Sequence, residues 1–139
     1  MDTVSMSQLI APETGIVRIR SCHSVSETTE RLTALLKGRG ILIFAHVRFS
    51  YDAARAGVPM RPEELLIFGG PRFSAPLLQA APTVGLDLPS KALVWQDKRG
   101  KTWVGYNDPE YLLQRHALPV ELLENLTTVI PYIQQAAHL

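Results

Sequence analysis

A chain of 139 residues with 46% hydrophobic and 19% charged side chains has the size and composition of one globular domain, and is too short for two good ones. At this length roughly 68% of the unfolded surface can be buried, so no covalent staple is needed, and the single cysteine, Cys22, excludes an internal disulfide and a Cys-based metal cage. Fourteen basic against thirteen acidic residues leave a formal net charge of +1, too little to imply nucleic acid or an anionic membrane as partner.

The longest strictly apolar run, Ile41-Leu42-Ile43-Phe44-Ala45, is far too short to span a bilayer. The first residues carry Asp2 and polar side chains and lack a basic start followed by an apolar stretch, so no signal peptide is read there. The expectation is a cytoplasmic chain, with residues 1–14 as a flexible arm and 15–139 as one domain ending in a helix over 119–138.

From Gly15 to Cys22, Val17 and Ile19 alternate with Arg18 and Arg20, the period of a strand with one apolar and one charged face. Ser24 with Glu27 three residues on is a capping box, and the helix it opens lines up Val25, Thr28, Thr29, Leu32, Leu35 and Leu36. Glu27 and Arg31 are spaced as a supporting pair, and Gly38 or Gly40 ends the helix. Ile41 to Phe49 reads as a strand with Leu42, Phe44, His46 and Arg48 on one face and Ile41, Ile43, Ala45, Val47 and Phe49 on the other. A helical turn follows over Ser50 to Gly57. Glu64 to Phe68 is the next strand, ending in Gly69-Gly70-Pro71, and Ser74 is placed to cap a helix with Pro76 in its first turn.

Lys91 to Asp97 and Lys101 to Asn107 form a hairpin around Asp97-Lys98-Arg99-Gly100, a type I turn closed by a left-handed glycine. That register sets Trp95 opposite Trp103, Val94 opposite Val104 and Lys91 opposite Asn107. Asp108 caps a helix that has Pro109 at its first position, and Pro119 opens a last helix that Pro131 kinks or breaks. Helices following strands, with a late antiparallel hairpin, point to an α+β two-layer sandwich: a mostly antiparallel sheet of about five strands with helices on one face.

Over Gly15 to His116 the chain resembles the domain of unknown function 302 family. The resemblance is carried by Glu64-Leu65-Leu66-Ile67-Phe68-Gly69-Gly70-Pro71, Gly85-Leu86-Asp87-Leu88-Pro89, Ala92-Leu93-Val94-Trp95-Gln96-Asp97 and Tyr106-Asn107-Asp108-Pro109 leading to His116. It implies a fold of the TATA-binding-protein-like class, often dimeric, and no established activity. Fold likeness does not carry DNA binding with it.

Two groups of residues could carry chemistry. Gly69, Gly70 and Arg72 lie between a strand and a helix start, where backbone N–H groups and the helix dipole favour an anion. The simpler account of the same two glycines is a tight turn needing positive φ. Asp87, Lys91, Asn107, Asp108 and His116 supply carboxylate, amine and imidazole groups suited to acid/base or ligand contacts, although Asp108 as a helix cap and His116 at a helix C-terminus have plain structural uses. Arg18, Arg20, His46 and Arg48 would form a basic patch if their strands are neighbours, and the tryptophan pair belongs to the core, a dimer surface or an aromatic ligand platform. Cys22 beside His23 could be a thiolate or a packed small residue. The four histidines show no metal-ligand spacing.

The reading is a homodimeric module binding a small anionic or aromatic molecule. The alternatives are an enzyme acting on a small substrate through Asp87, Lys91, Asp108 and His116, and an interaction domain without a ligand. No cofactor is specified by these residues.

Overall fold

The computed structural model describes the backbone of residues 8–11 and residues 14–138 in full. In chain order the elements are β1 (Gln8–Ala11), β2 (Ile16–Ser21), α1 (Val25–Gly38), β3 (Leu42–Val47), α2 (Phe49–Arg55), β4 (Glu63–Gly69), α3 (Pro71–Ala80), a 3₁₀ turn (Pro82–Leu86), β5 (Ser90–Gln96), β6 (Thr102–Asn107), α4 (Pro109–His116), a second 3₁₀ turn (Val120–Leu122), α5 (Leu123–Thr127) and α6 (Ile130–Ala137). The strands form one antiparallel sheet in the order β1-β2-β6-β5-β4-β3. This is the expected α+β sandwich, with one strand more. Four residues of the segment read as an arm pair with β2 as β1, which covers the hydrogen-bonding edge that β2 would otherwise leave open. The rest of that arm lies outside the described residues.

Alternation along each strand divides the sheet into two faces. Ile19 on β2, Leu66 and Phe68 on β4, Ala92 and Val94 on β5, and Val104 on β6 point to one side and are buried beneath Leu32 and Leu36 of α1 and Ile133, Ala136 and Ala137 of α6, and Val17 on β2 is buried too. A second cluster, Leu77, Val84, Leu112, Leu118 and Leu126, packs α3, the first 3₁₀ turn, α4 and α5 together. Burial of this kind stabilises by roughly 1.5–3 kcal/mol per large side chain.

Local chemistry fixes the element ends. Ser24 Oγ accepts from Glu27 N and Glu27 Oε1 accepts from Ser24 N, both at 3.2 Å, so the capping box is complete. Arg31, spaced to pair with Glu27, also donates to the carbonyls of Gln135, Ala136 and His138 at 3.0–3.1 Å, which holds the end of α6 against α1. Gly40 takes φ +73° just after α1. The last helix is broken: α5 ends at Thr127 and α6 begins at Ile130, with Pro131 in its first turn where a missing N–H costs nothing.

Two expectations are corrected. Ser74 does not cap α3, because the helix starts earlier, at Pro71 after Gly70, and Ser74 Oγ instead donates back to Gly70 O at 3.2 Å. The four-residue basic patch does not form. β2 and β3 lie far apart in the strand order, and β3 carries a bulge. Its register with β4 passes from Ile43↔Phe68 to Ala45↔Ile67, so Phe44 is the extra residue. Beyond the bulge every side chain changes face. His46 lands on the Leu66 side and contacts Glu64 Oε1 at 2.6 Å, and the Arg48 guanidinium lies 4.5 Å from the Tyr51 ring centre.

Candidate ligand-binding site

The sheet face away from α1 and α6 holds a depression of about 740 Å³ over β2, β6, β5 and β4. Its position follows from the strand period. Lys91, Leu93 and Trp95 share one side of β5, Ile16 and Arg18 one side of β2, and Gly105 and Asn107 one side of β6, with Leu65 contributed by β4. Gly105 sits between Leu93 and Arg18 in register, and the indole of Trp95 lies over it where a side chain would otherwise stand. The hairpin register is the expected one, with Trp95↔Trp103 and Val94↔Val104 paired and Asp97 N donating to Lys101 O at 2.8 Å. Lys91 and Asn107 both border the hollow.

The two tryptophans have different roles. Trp103 Nε1 donates to Asp97 Oδ2 at 2.8 Å, and Asp97 Oδ1 accepts from the N–H groups of Arg99 and Lys101 at 2.9 Å. These bonds, that from Trp103 foremost, hold the Asp97 carboxyl below its ordinary value. Arg18 and Arg20 lie over the Trp103 ring at 4.9 and 5.4 Å from its centre. Trp95 instead forms a wall of the hollow.

Asp87 and His116 are brought together, as the acid/base reading requires, and with partners that sequence spacing did not indicate. Asp87 Oδ2 is 2.5 Å from His116 Nε2, Arg115 Nη1 donates to both carboxylate oxygens at 3.0 Å, and Thr83 Oγ1 is 2.8 Å from His116 Nδ1. His116 is buried. The cluster ties the first 3₁₀ turn to the C-terminal end of α4. The small cleft beside it, bordered by Asp87, Lys91, Tyr106 and Asn107, is about 30 Å³, room for little more than a water. Lys91 borders both spaces and donates from Nζ to Pro89 O at 2.9 Å; burial pushes its amine below the ordinary value, with the Asp87 charge opposing. Burial and the charge of Asp108 push the Tyr106 phenol up.

The remaining candidates separate. Asp108 Oδ1 accepts from Glu110 N at 3.3 Å as the cap of α4. Gly69 has φ +156° and Gly70 the extended φ of −174°, so one glycine of the pair has positive φ, as the turn argument requires. The cavity beside them, about 300 Å³, is bordered mainly by apolar groups including Phe44, Phe73, Leu77 and Leu88, while Arg72 is exposed and not part of its lining. The surroundings are therefore apolar rather than basic. Cys22 is exposed. Among the described residues no group of three His, Cys, Asp or Glu side chains could hold a metal ion.

A two-layer α+β sandwich with one open sheet face is the class these features define. The chain belongs to the family described as Domain of unknown function DUF302, whose model matches residues 17–133. A crystal structure of an uncharacterized conserved DUF302 protein from Bacillus stearothermophilus is similar over 88% of this chain and 95% of that one, with a TM-score of 0.71 at 22% identity, a likeness of fold. Among curated proteins, the chain is 45% identical over 106 residues to proteins named fluoride-specific ion channel FluC 1 from Brucella suis and Brucella abortus and FluC 2 from Brucella melitensis. The match covers 76% of this chain, but only 42%, 39% and 39% of those proteins.

Proposed function

We propose that this domain is a homodimeric binding module for a small anionic or aromatic molecule, with the hollow on the open sheet face as its site. The observation that carries the reading is the make-up of that hollow. About 740 Å³ is within the range of small-molecule sites, its walls are mainly apolar through Ile16, Leu65, Leu93 and Trp95, and cationic groups stand at its borders in Arg18 and Lys91. The acid/base alternative has Asp87 paired with the buried His116 but little space beside the pair, which argues against catalysis at that cluster.

The dimer part of the reading draws on β3. This strand ends the sheet, and Leu42 and Phe44 are each 53% exposed there. A second copy set against this edge would cover both. In the Brucella proteins the matched segment is less than half of the whole, which suits a module that operates beside other parts of a longer protein. Among the described residues no helix is long and apolar enough to cross a membrane, and fluoride conduction is no part of the proposal.

Titration of tryptophan emission with small molecules released from the natively purified protein tests the site. Saturable change that disappears in Leu93→Glu supports it, and an unchanged response in that variant removes the hollow as the site. Light scattering at micromolar concentration tests the dimer: a sole species of 15.4 kDa overturns it.

A further inference from the structure

Lys91 differs from the chain's other three lysines. Lys37, Lys98 and Lys101 are exposed, whereas Lys91 is half-buried on β5 at the margin of the hollow. Partial burial makes its ammonium form less favourable, so more of it is neutral amine near pH 7–8 than at an exposed lysine. Leu93 and Trp95 continue along the same face of β5 and give a bound molecule an apolar, partly water-free bed. Two strands away, about 10 Å across the sheet by strand spacing, Arg18 holds a guanidinium at the other border. An amine at one margin, an indole wall between and a fixed cation opposite match a flat apolar molecule with a carbonyl at one end and an acid group at the other.

We propose that Lys91 is a nucleophile that condenses reversibly with the carbonyl of an aromatic aldehyde bearing an acid group, held in this hollow. The proposal rests on the ligand-binding reading of the open face. The lone pair of the neutral amine forms a bond to the carbonyl carbon while the C=O π pair moves to oxygen, which takes one of the nitrogen's protons to give a carbinolamine. The second nitrogen proton and the hydroxyl then leave together as water, and a C=N bond remains. No oxidant or reductant takes part. Asp87, whose charge acts on Lys91, stabilises the protonated imine. Tyr106 and Asn107 border the same space, and Arg18 takes the acid group.

The test uses 4-formylbenzoate with cyanoborohydride, which fixes an imine as a stable secondary amine, followed by peptide mapping. Lys91 is expected to be labelled first and most extensively of the four lysines, ahead of Lys37, Lys98 and Lys101. Equal labelling of all four lysines overturns the proposal. Lys91→Arg keeps the positive charge, cannot form the imine, and is expected to lose that adduct alone. A parallel titration uses 4-(hydroxymethyl)benzoate, which lacks the carbonyl, and follows tryptophan emission. If the alcohol binds and Lys91 is not preferred, the nucleophile falls and the binding reading stands. If Lys91 is preferred and the alcohol does not bind, the nucleophile stands and reversible binding in the hollow falls. If neither occurs, both fall.

Discussion

The indole of Trp95 fills the space that a side chain at Gly105 would occupy: a Cβ built at position 105 would lie 2.9 Å from Trp95 Cζ3 and 3.2 Å from Cη2. One residue's missing side chain therefore sets the orientation of the aromatic wall on the neighbouring strand. Gly105→Ala must push the ring away and is expected to destabilise by about 1–3 kcal/mol, the usual cost of overpacking. Urea unfolding together with the tryptophan emission maximum checks this. Unchanged stability with an unchanged spectrum means that the indole does not rest there.

Asp108 is a cap with a simple signature. Asp108→Ala is expected to cost about 0.5–2 kcal/mol, and Asp108→Ser to recover most of that, since a hydroxyl also accepts from the first-turn N–H groups. Thermal unfolding of the two variants side by side is sufficient. If Asp108→Ala unfolds like the parent while ligand binding is lost, the carboxylate belongs to the site and not to the helix.

The two glycines before α3 are expected to behave differently. Gly69 has φ +156°, a region left almost wholly to glycine, whereas Gly70 is extended and a Cβ there meets nothing nearer than Phe73 at 4.0 Å. Gly69→Ala should cost on the order of 1–3 kcal/mol, and Gly70→Ala clearly less. Equal losses in denaturant melts would remove backbone strain as the explanation.

Asp97 makes the hairpin sensitive to acid. Its folded pKa is below the ordinary 3.8, so the unfolded chain takes up the proton first as pH falls. The stabilisation is complete above 3.8 and is lost as pH drops through the lower folded value. Stability measured from pH 5 downward should fall less steeply in Asp97→Asn than in the parent. Parallel curves would show that the bonds to Trp103, Arg99 and Lys101 do not favour the charged form.

What could be read from the sequence was local. The capping box at Ser24, the cap at Asp108, the turn closed by Gly100 and the break near Pro131 each depend on residues within a few positions of one another, and each is present. The bulge at Phe44 was not legible, since an apolar strand looks the same with or without an extra residue until its partner sets the register. Strand order is also a long-range property, so Arg18 and His46 looked alike in period but belong to remote strands, on opposite faces. Asp87 and His116 could be named from their chemistry. Thr83 and Arg115 could not, because their contacts arise from packing a 3₁₀ turn on the end of α4. The hollow had one overlooked sign, a glycine in the middle of a strand opposite the face of Leu93 and Trp95.

The pairing of β2 with β6 has a consequence for synthesis on the ribosome. Ile16 through Ser21 are made early, yet their inner partners, Thr102 through Asn107, appear some eighty to ninety residues later in the order of translation. Arg31 waits longer still, for the carbonyls of Gln135, Ala136 and His138. Contacts this distant in sequence slow folding, because loop closure must precede any gain from them. β2 and α1 therefore emerge without their inner neighbours, with Val17, Ile19 and Leu32 uncovered. The pairing of β2 with β6 forms only once Thr102 to Asn107 have been made, and a nascent chain stalled before Thr102 presents apolar surface of the kind that chaperones bind.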